Sequence, residues 1–200
     1  SRSVPGRKSE VNDAQWLQRL HACGLLRASF RPARDIAALR SFLRQRERLL
    51  DYAAAHIQHM QKALTFMNLQ LHHVVSDITG VTGMKILRAI VAGERDVGRL
   101  AEMRDIRCKA TEATIREALR GNYQPEHVFA LRQALLLYDA YQARVDECDA
   151  EIERTLALLN RDRSVPDSPL PKARHRTRQP NEIKFDVRAA LYQLLGTDTT

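Results

Sequence analysis

Cysteine occurs three times in 200 residues, as Cys23, Cys108 and Cys148, too few and too scattered for a disulfide framework or a Cys-x-x-Cys metal knuckle. The three read as buried, reduced thiols. Aromatic residues make up only 6% of the chain and glycine occurs eight times, which argues against a fold rich in strands and tight turns. No run of eighteen apolar residues is present to cross a bilayer, and the N-terminal stretch lacks the apolar core of a signal peptide. A cytoplasmic protein with no membrane partner is the expectation. The patterns G-x-x-x-x-G-K-[ST], G-x-S-x-G and H-E-x-x-H are all missing, so nucleotide hydrolysis, serine hydrolysis and zincin chemistry have no support.

What remains is strongly helical: apolar residues make up 44%, and Ala, Leu, Arg, Gln and Glu dominate. The net charge of +8 is unevenly placed. Residues 1–8 hold three basic and no acidic residues, and residues 161–178 hold six basic and two acidic ones, so the rest is close to neutral. Two such basic, irregular stretches can grip a polyanion and release its counterions.

Along the chain, Ser9 or Asn12 can cap a first helix with Val11, Ala14, Leu17, Leu20 and Trp16 on its apolar side, ending at Gly24. From about Asp35 a long helix is expected. Positions 36, 43, 50, 57, 64, 71 and 78 are all Ile or Leu, and the companion series 39, 46, 53, 60, 67, 74 is apolar except at Arg46. That is a sustained heptad with one charged break. Short helices around 84–91 and 111–119, separated by glycine turns, read as a compact insert at about 76–124. Pro125 then opens a second long helix reaching about Asn160, whose seam is weakened at Gln142 and Asp149. The simplest arrangement is all-α: a long antiparallel coiled-coil hairpin with a small helical insert at its tip, each arm about 50 to 60 Å long at 1.5 Å per residue. Residues 161–184 form a basic, Pro-rich linker, followed by an amphipathic helix near 185–195 with no partner for Phe185, Val187, Leu191 and Leu194. The chain reads as cut at both ends.

Two carboxylates, Glu10 and Asp13, stand three residues apart in the first helix and so share a face. They suit either a divalent cation or the positive end of the helix dipole, but two ligands fall short of the six that magnesium takes. His56, His59, His72 and His73 lack a companion carboxylate or cysteine and read as polar-face residues. Arg40, Arg44 and Arg48 repeat every four residues, as a phosphate-tracking row or as a solvated helix face.

Six blocks stand in order along the chain: Gly6-Arg7-Lys8-Ser9-Glu10-Val11-Asn12-Asp13-Ala14-Gln15-Trp16-Leu17, Leu20-His21-Ala22-Cys23-Gly24-Leu25-Leu26, Leu43-Arg44-Gln45-Arg46, Asp77-Ile78-Thr79-Gly80-Val81-Thr82-Gly83, Ile90-Val91-Ala92-Gly93-Glu94-Arg95-Asp96 and Gly121-Asn122-Tyr123. Together they resemble the DEDD transposases of bacterial insertion sequences, RNA-guided DNA recombinases. The resemblance implies a RuvC-like nuclease domain ending within residues 1–30, a helical coiled-coil domain over 31–160, and the start of a C-terminal transposase domain at 185–200. It also implies that Glu10 and Asp13 are the last two of four acidic magnesium ligands, with Glu standing where the family pattern has Asp. The earlier two acids and the serine nucleophile have no counterpart here. The intact protein would then cut and exchange DNA strands with Mg2+, while these 200 residues would scaffold, self-associate and contact DNA and a guide RNA through Arg7, Lys8, Lys172, Arg174, Arg176 and Arg178, without cleaving alone. The alternative is a non-catalytic helical module for dimerisation or nucleic-acid binding.

Overall fold

The computed structural model describes residues 10–25, 33–163, 166, 168–170 and 181–198, with backbone alone for 10–12. Helices run Glu10–Ala22 (α1), Arg34–Phe66 (α2), Leu71–Val74 (α3), Val81–Ala92 (α4), Val97–Glu102 (α5), Glu112–Ala118 (α6), Pro125–Asn160 (α7) and Val187–Leu195 (α8). No strand occurs among the described residues. The protein is all-α, and no described helix is long and apolar enough to cross a membrane.

Helix α1 closes as its sequence predicts. Gly24 takes a left-handed φ of 68°, and the N–H of Leu25 reaches back to the Leu20 carbonyl at 2.9 Å. Among the described residues α1 packs substantially against no other helix, and Trp16 and Leu17 stay more than half exposed. Ala14 is exposed as well, and Leu20 is half-buried. Cys23 is exposed too, and Cys108 and Cys148 are half-buried, so the expectation of buried thiols fails most clearly at Cys23.

Helices α2 and α7 dominate the packing and run antiparallel. Phe66 lies against His127, His56 stacks on Tyr141, and Arg46 meets Asp149. The heptad reading is half right. Arg46, Ala53 and Met60 are buried as one predicted series requires and Leu64 as the other does, but Leu49 and Ala63, which belong to neither series, are buried as well. Leu43 is 40% exposed, and Leu50 and Ile57 are only half-buried. The adjacent apolar pairs Leu49-Leu50 and Ala63-Leu64 make both registers plausible in the sequence. Packing buries both members of the second pair and favours Leu49 in the first, and small Ala53 and Ala63 share their core with the bulky Leu131, Leu135 and Tyr138 of α7.

The long first helix also stops twelve residues before the predicted Ile78. Asn68 adopts a left-handed φ of 56° and its N–H bonds the Thr65 carbonyl at 2.9 Å, while the Leu69 N–H bonds the Leu64 carbonyl at 2.8 Å. This Schellman closure uses Asn where Gly is commoner, and it hides the helix end from a periodicity reading. Leu71 and Ile78 remain in the core, delivered by α3 and the following turn.

Helices α3 to α6 form a small cap at this end of the pair and share its main core with Met60, Leu64, Ile86, Leu87, Ile90, Leu100, Ile115 and Leu119. Gln70 N–H donates to the Ala118 carbonyl at 2.7 Å and Asn122 N–H to the Met67 carbonyl at 2.9 Å, tying the exit of α2 to the entry of α7. At the opposite end, α8 lies on α7. Leu194, Phe185 and Leu191 cover Ile152, Leu156, Leu39 and Phe42. The last helix therefore has a partner after all: the base of the long pair.

Candidate nucleic-acid interface

The predicted site residues are distributed very unequally. Arg7, Lys8, Lys172, Arg174, Arg176 and Arg178 lie outside the described residues. Glu10 is the first residue of α1, and Asp13, one turn on, is exposed. No group of three or more His, Cys, Asp or Glu able to hold a metal ion forms among the described residues. Two carboxylates from one helix turn supply too few oxygens for magnesium, so the described residues by themselves do not fit the ion.

The arginine row is better defined. Arg40, Arg44 and Arg48 are exposed, and by helical phase they lie on the side of α2 turned away from the buried Arg46, Ala53 and Met60. None of the three has an ion-pair partner among the described residues. Elsewhere arginines are widely engaged: Arg88 with Asp139, Arg99 with Glu94, Arg107 with Asp105, Arg116 with Glu112, Arg144 with Glu147 and Arg154 with Glu151. Three uncommitted guanidiniums about 6 Å apart along one helix line can meet successive phosphates at little internal cost, because no intramolecular pair must break first.

The blocks in the cap serve shape more than ligand contact. Arg95 Nη1 donates to the Ile90 carbonyl at 2.6 Å and to the Glu94 carbonyl at 2.7 Å, placing a cation at the C-terminus of α4, while its guanidinium lies 5.2 Å from the Tyr123 ring centroid. Tyr123 in turn donates its hydroxyl to the Leu119 carbonyl at 2.7 Å, and burial pushes its phenol pKa up. Glu94 accepts the N–H groups of Asp96 and Arg95, which hold its carboxyl below the ordinary range. Asp96 caps α5 by accepting from Gly98 and Arg99, and Asp77 accepts both the N–H and the hydroxyl of Thr79. Arg95 and Asp96 are therefore committed to holding turns, which a reading of their residue types alone would not reveal.

The histidines form two ring pairs, His56 with His59 at 5.5 Å and His72 with His73 at 4.0 Å between centroids. Burial, reinforced by the neighbouring imidazole, lowers the pKa of His56 and of His72. Both are held toward the neutral form. The most consequential pairing missed in the sequence is between Arg46 and Asp149, two polar breaks on separate helices that face one another in the fold. Their opposite charges at seam positions were the available signal.

No protein-family model, no curated protein and no solved structure matches this chain.

Proposed function

We propose that this chain is the helical scaffold of a DNA transposase of the DEDD insertion-sequence type. In this reading residues 1–30 end a RuvC-like nuclease domain, residues 31–160 are a coiled-coil hairpin with its cap, residues 161–184 are a basic linker, and residues 185–200 open a C-terminal transposase domain. The observation that carries it is spatial: blocks far apart in sequence interlock in one joint. Arg95 from one block lies over Tyr123 of another, and Gly121 of that second block fits against the Met67 carbonyl, where α2 ends. Blocks that share a family for a structural reason should meet in this way. The exposed Asp13 and uncovered Trp16 on α1 suit a helix that belongs to a neighbouring domain, and the row at Arg40, Arg44 and Arg48 suits DNA or a guide RNA.

Glu10 and Asp13 would supply half of a four-carboxylate magnesium centre in the intact protein. By themselves they do not assemble one, so this chain should bind nucleic acid and leave it uncut. In a mobility-shift titration, changing Arg40, Arg44 and Arg48 together to Gln should weaken binding and flatten its salt dependence by about one unit of slope for each phosphate released. A slope equal to wild type would remove the row from the interface and leave Lys172, Arg174, Arg176 and Arg178 as the next set to neutralise. Supercoiled DNA incubated with the chain and Mg2+ should stay intact, and nicking would refute the division of labour.

Self-association has its own support. On the outward side of α7, Phe129 and Leu136 stand seven residues apart and more than half exposed, and Phe66 of α2 and Leu137 line a shallow apolar groove beside them. A second copy packed there would cover both helices. Sedimentation should show a dimer or larger species at micromolar concentration that Leu136→Glu converts to monomer, and a wild-type monomer would end this part of the proposal.

A further inference from the structure

Residues 181–186 cross the long pair at the point where each helix turns a polar residue into the seam. Arg46 Nε donates to Asp149 Oδ1 at 2.5 Å, and Arg46 Nη2 donates to the Asn181 main-chain carbonyl at 2.6 Å. The other carboxylate oxygen of Asp149 accepts the Lys184 N–H at 3.4 Å. Beside this knot, Gln142 Nε2 donates to Asn181 Oδ1 at 3.3 Å and Lys184 Nζ lies 2.6 Å from Asp146 Oδ1. Further along, Asn160 Nδ2 donates to the Ala190 carbonyl at 2.9 Å and Arg163 Nη1 to the Leu194 carbonyl at 2.6 Å. Most of these bonds end on main-chain atoms of the C-terminal arm, so they grip its path more than its side chains.

The apolar seat under the arm is small by comparison, with Leu194, Leu191 and Phe185 as its main contributors. Two clefts of about 520 and about 490 Å³ open beside it, one at Asn160, Phe185 and Ala190 and the other at Arg46, Asp149 and Asn181. A segment resting on few apolar neighbours between open clefts depends on its polar bonds. The helix pair alone gives little reason for Arg46 and Asp149, because apolar residues of similar size usually replace a buried ion pair at no loss and sometimes with a gain.

We propose that Arg46 and Asp149 form a latch for the arm. The pair holds residues 181–196 on the base of α2 and α7, and the arm leaves as one unit when the latch is removed. The test is hydrogen exchange on the full 200-residue chain carrying Arg46→Met with Asp149→Leu. Amides of α2 and α7 should stay as protected as in wild type or more so, while those of Val187–Leu195 lose at least about tenfold in protection. A second variant, Arg46→Lys, keeps a cation beside Asp149 but loses the planar fork that also reaches Asn181, and it should release the arm from an otherwise intact fold. Unchanged arm protection in both variants would overturn the latch. Loss of protection throughout α2 and α7, or failure of the double variant to fold, would also overturn it, since the pair would then be part of the core.

Discussion

Gly83→Ala should lower the stability of this protein by about 3 kcal/mol, the largest effect expected from adding a single methyl group. A Cβ at Gly83 would sit 2.1 Å from the Ile78 carbonyl oxygen, 2.7 Å from its carbon and 2.8 Å from its Cα. All three are backbone atoms, so no side chain can swing aside; either α4 or the turn before it must move. Both border the main core, where Ile78, Met84, Ile86 and Leu87 pack. Gly121→Ala should behave alike, because its Cβ would lie 2.1 Å from the Met67 carbonyl oxygen and 2.6 Å from Leu69 Cδ2, wedging apart the ends of α2 and α7. Gly93→Ala is the informative control. Nothing lies within 4 Å of a Cβ there, but φ is 106°, so it should cost only the backbone strain, about 1 to 2 kcal/mol. Chemical denaturation of the three variants should rank Gly83 and Gly121 well above Gly93. Equal losses at all three would mean that backbone strain, and not close approach, governs these turns.

Asp149→Ala should be at least as damaging, at about 3 to 5 kcal/mol, because it leaves a guanidinium buried without its counter-charge. Arg46 is 9% exposed and Asp149 4%. Arg144→Ala, which removes the exposed pair with Glu147, should change stability by less than about 1 kcal/mol. Urea denaturation of both variants checks the contrast. A loss at Asp149 as small as that at Arg144 would show the Arg46 charge to be solvated, and the seam open, at that point.

Much of the architecture can be read from periodicity alone. The two long helices, the cap between them and the terminal helix each occupy roughly the stretch their apolar spacing suggests, because a helix must bury one stripe and its sequence records which one. Three features escaped for physical reasons. The burial of Leu49 and Ala63 escaped because each stands beside another apolar residue, Leu50 and Leu64, and spacing registers hydrophobicity but not the fit of small residues against large ones. The end of α2 was hidden because Asn68 can adopt a left-handed conformation without being glycine. The seat of α8 was invisible because its apolar face pairs with residues more than thirty positions away, across a linker with no periodic signal. The candidate site was less legible still. The sequence showed the row Arg40, Arg44 and Arg48 but not its lack of partners, and it showed Arg95 but not that a helix end and an aromatic ring occupy it.

The hydrogen bonds that join Gln70 to Ala118 and Asn122 to Met67 have an entropic consequence. They close the loop between the long helices at its shortest point, and because the cost of closure grows only logarithmically with length, almost all of it falls there. Every later pairing down the helices, out to Arg46 and Asp149 at a separation of 103 residues, joins segments already held side by side. The cap thus acts as the clasp of a zipper: with it fastened, each further helical turn adds burial against the cost of ordering its own residues, with very little further closure entropy to offset.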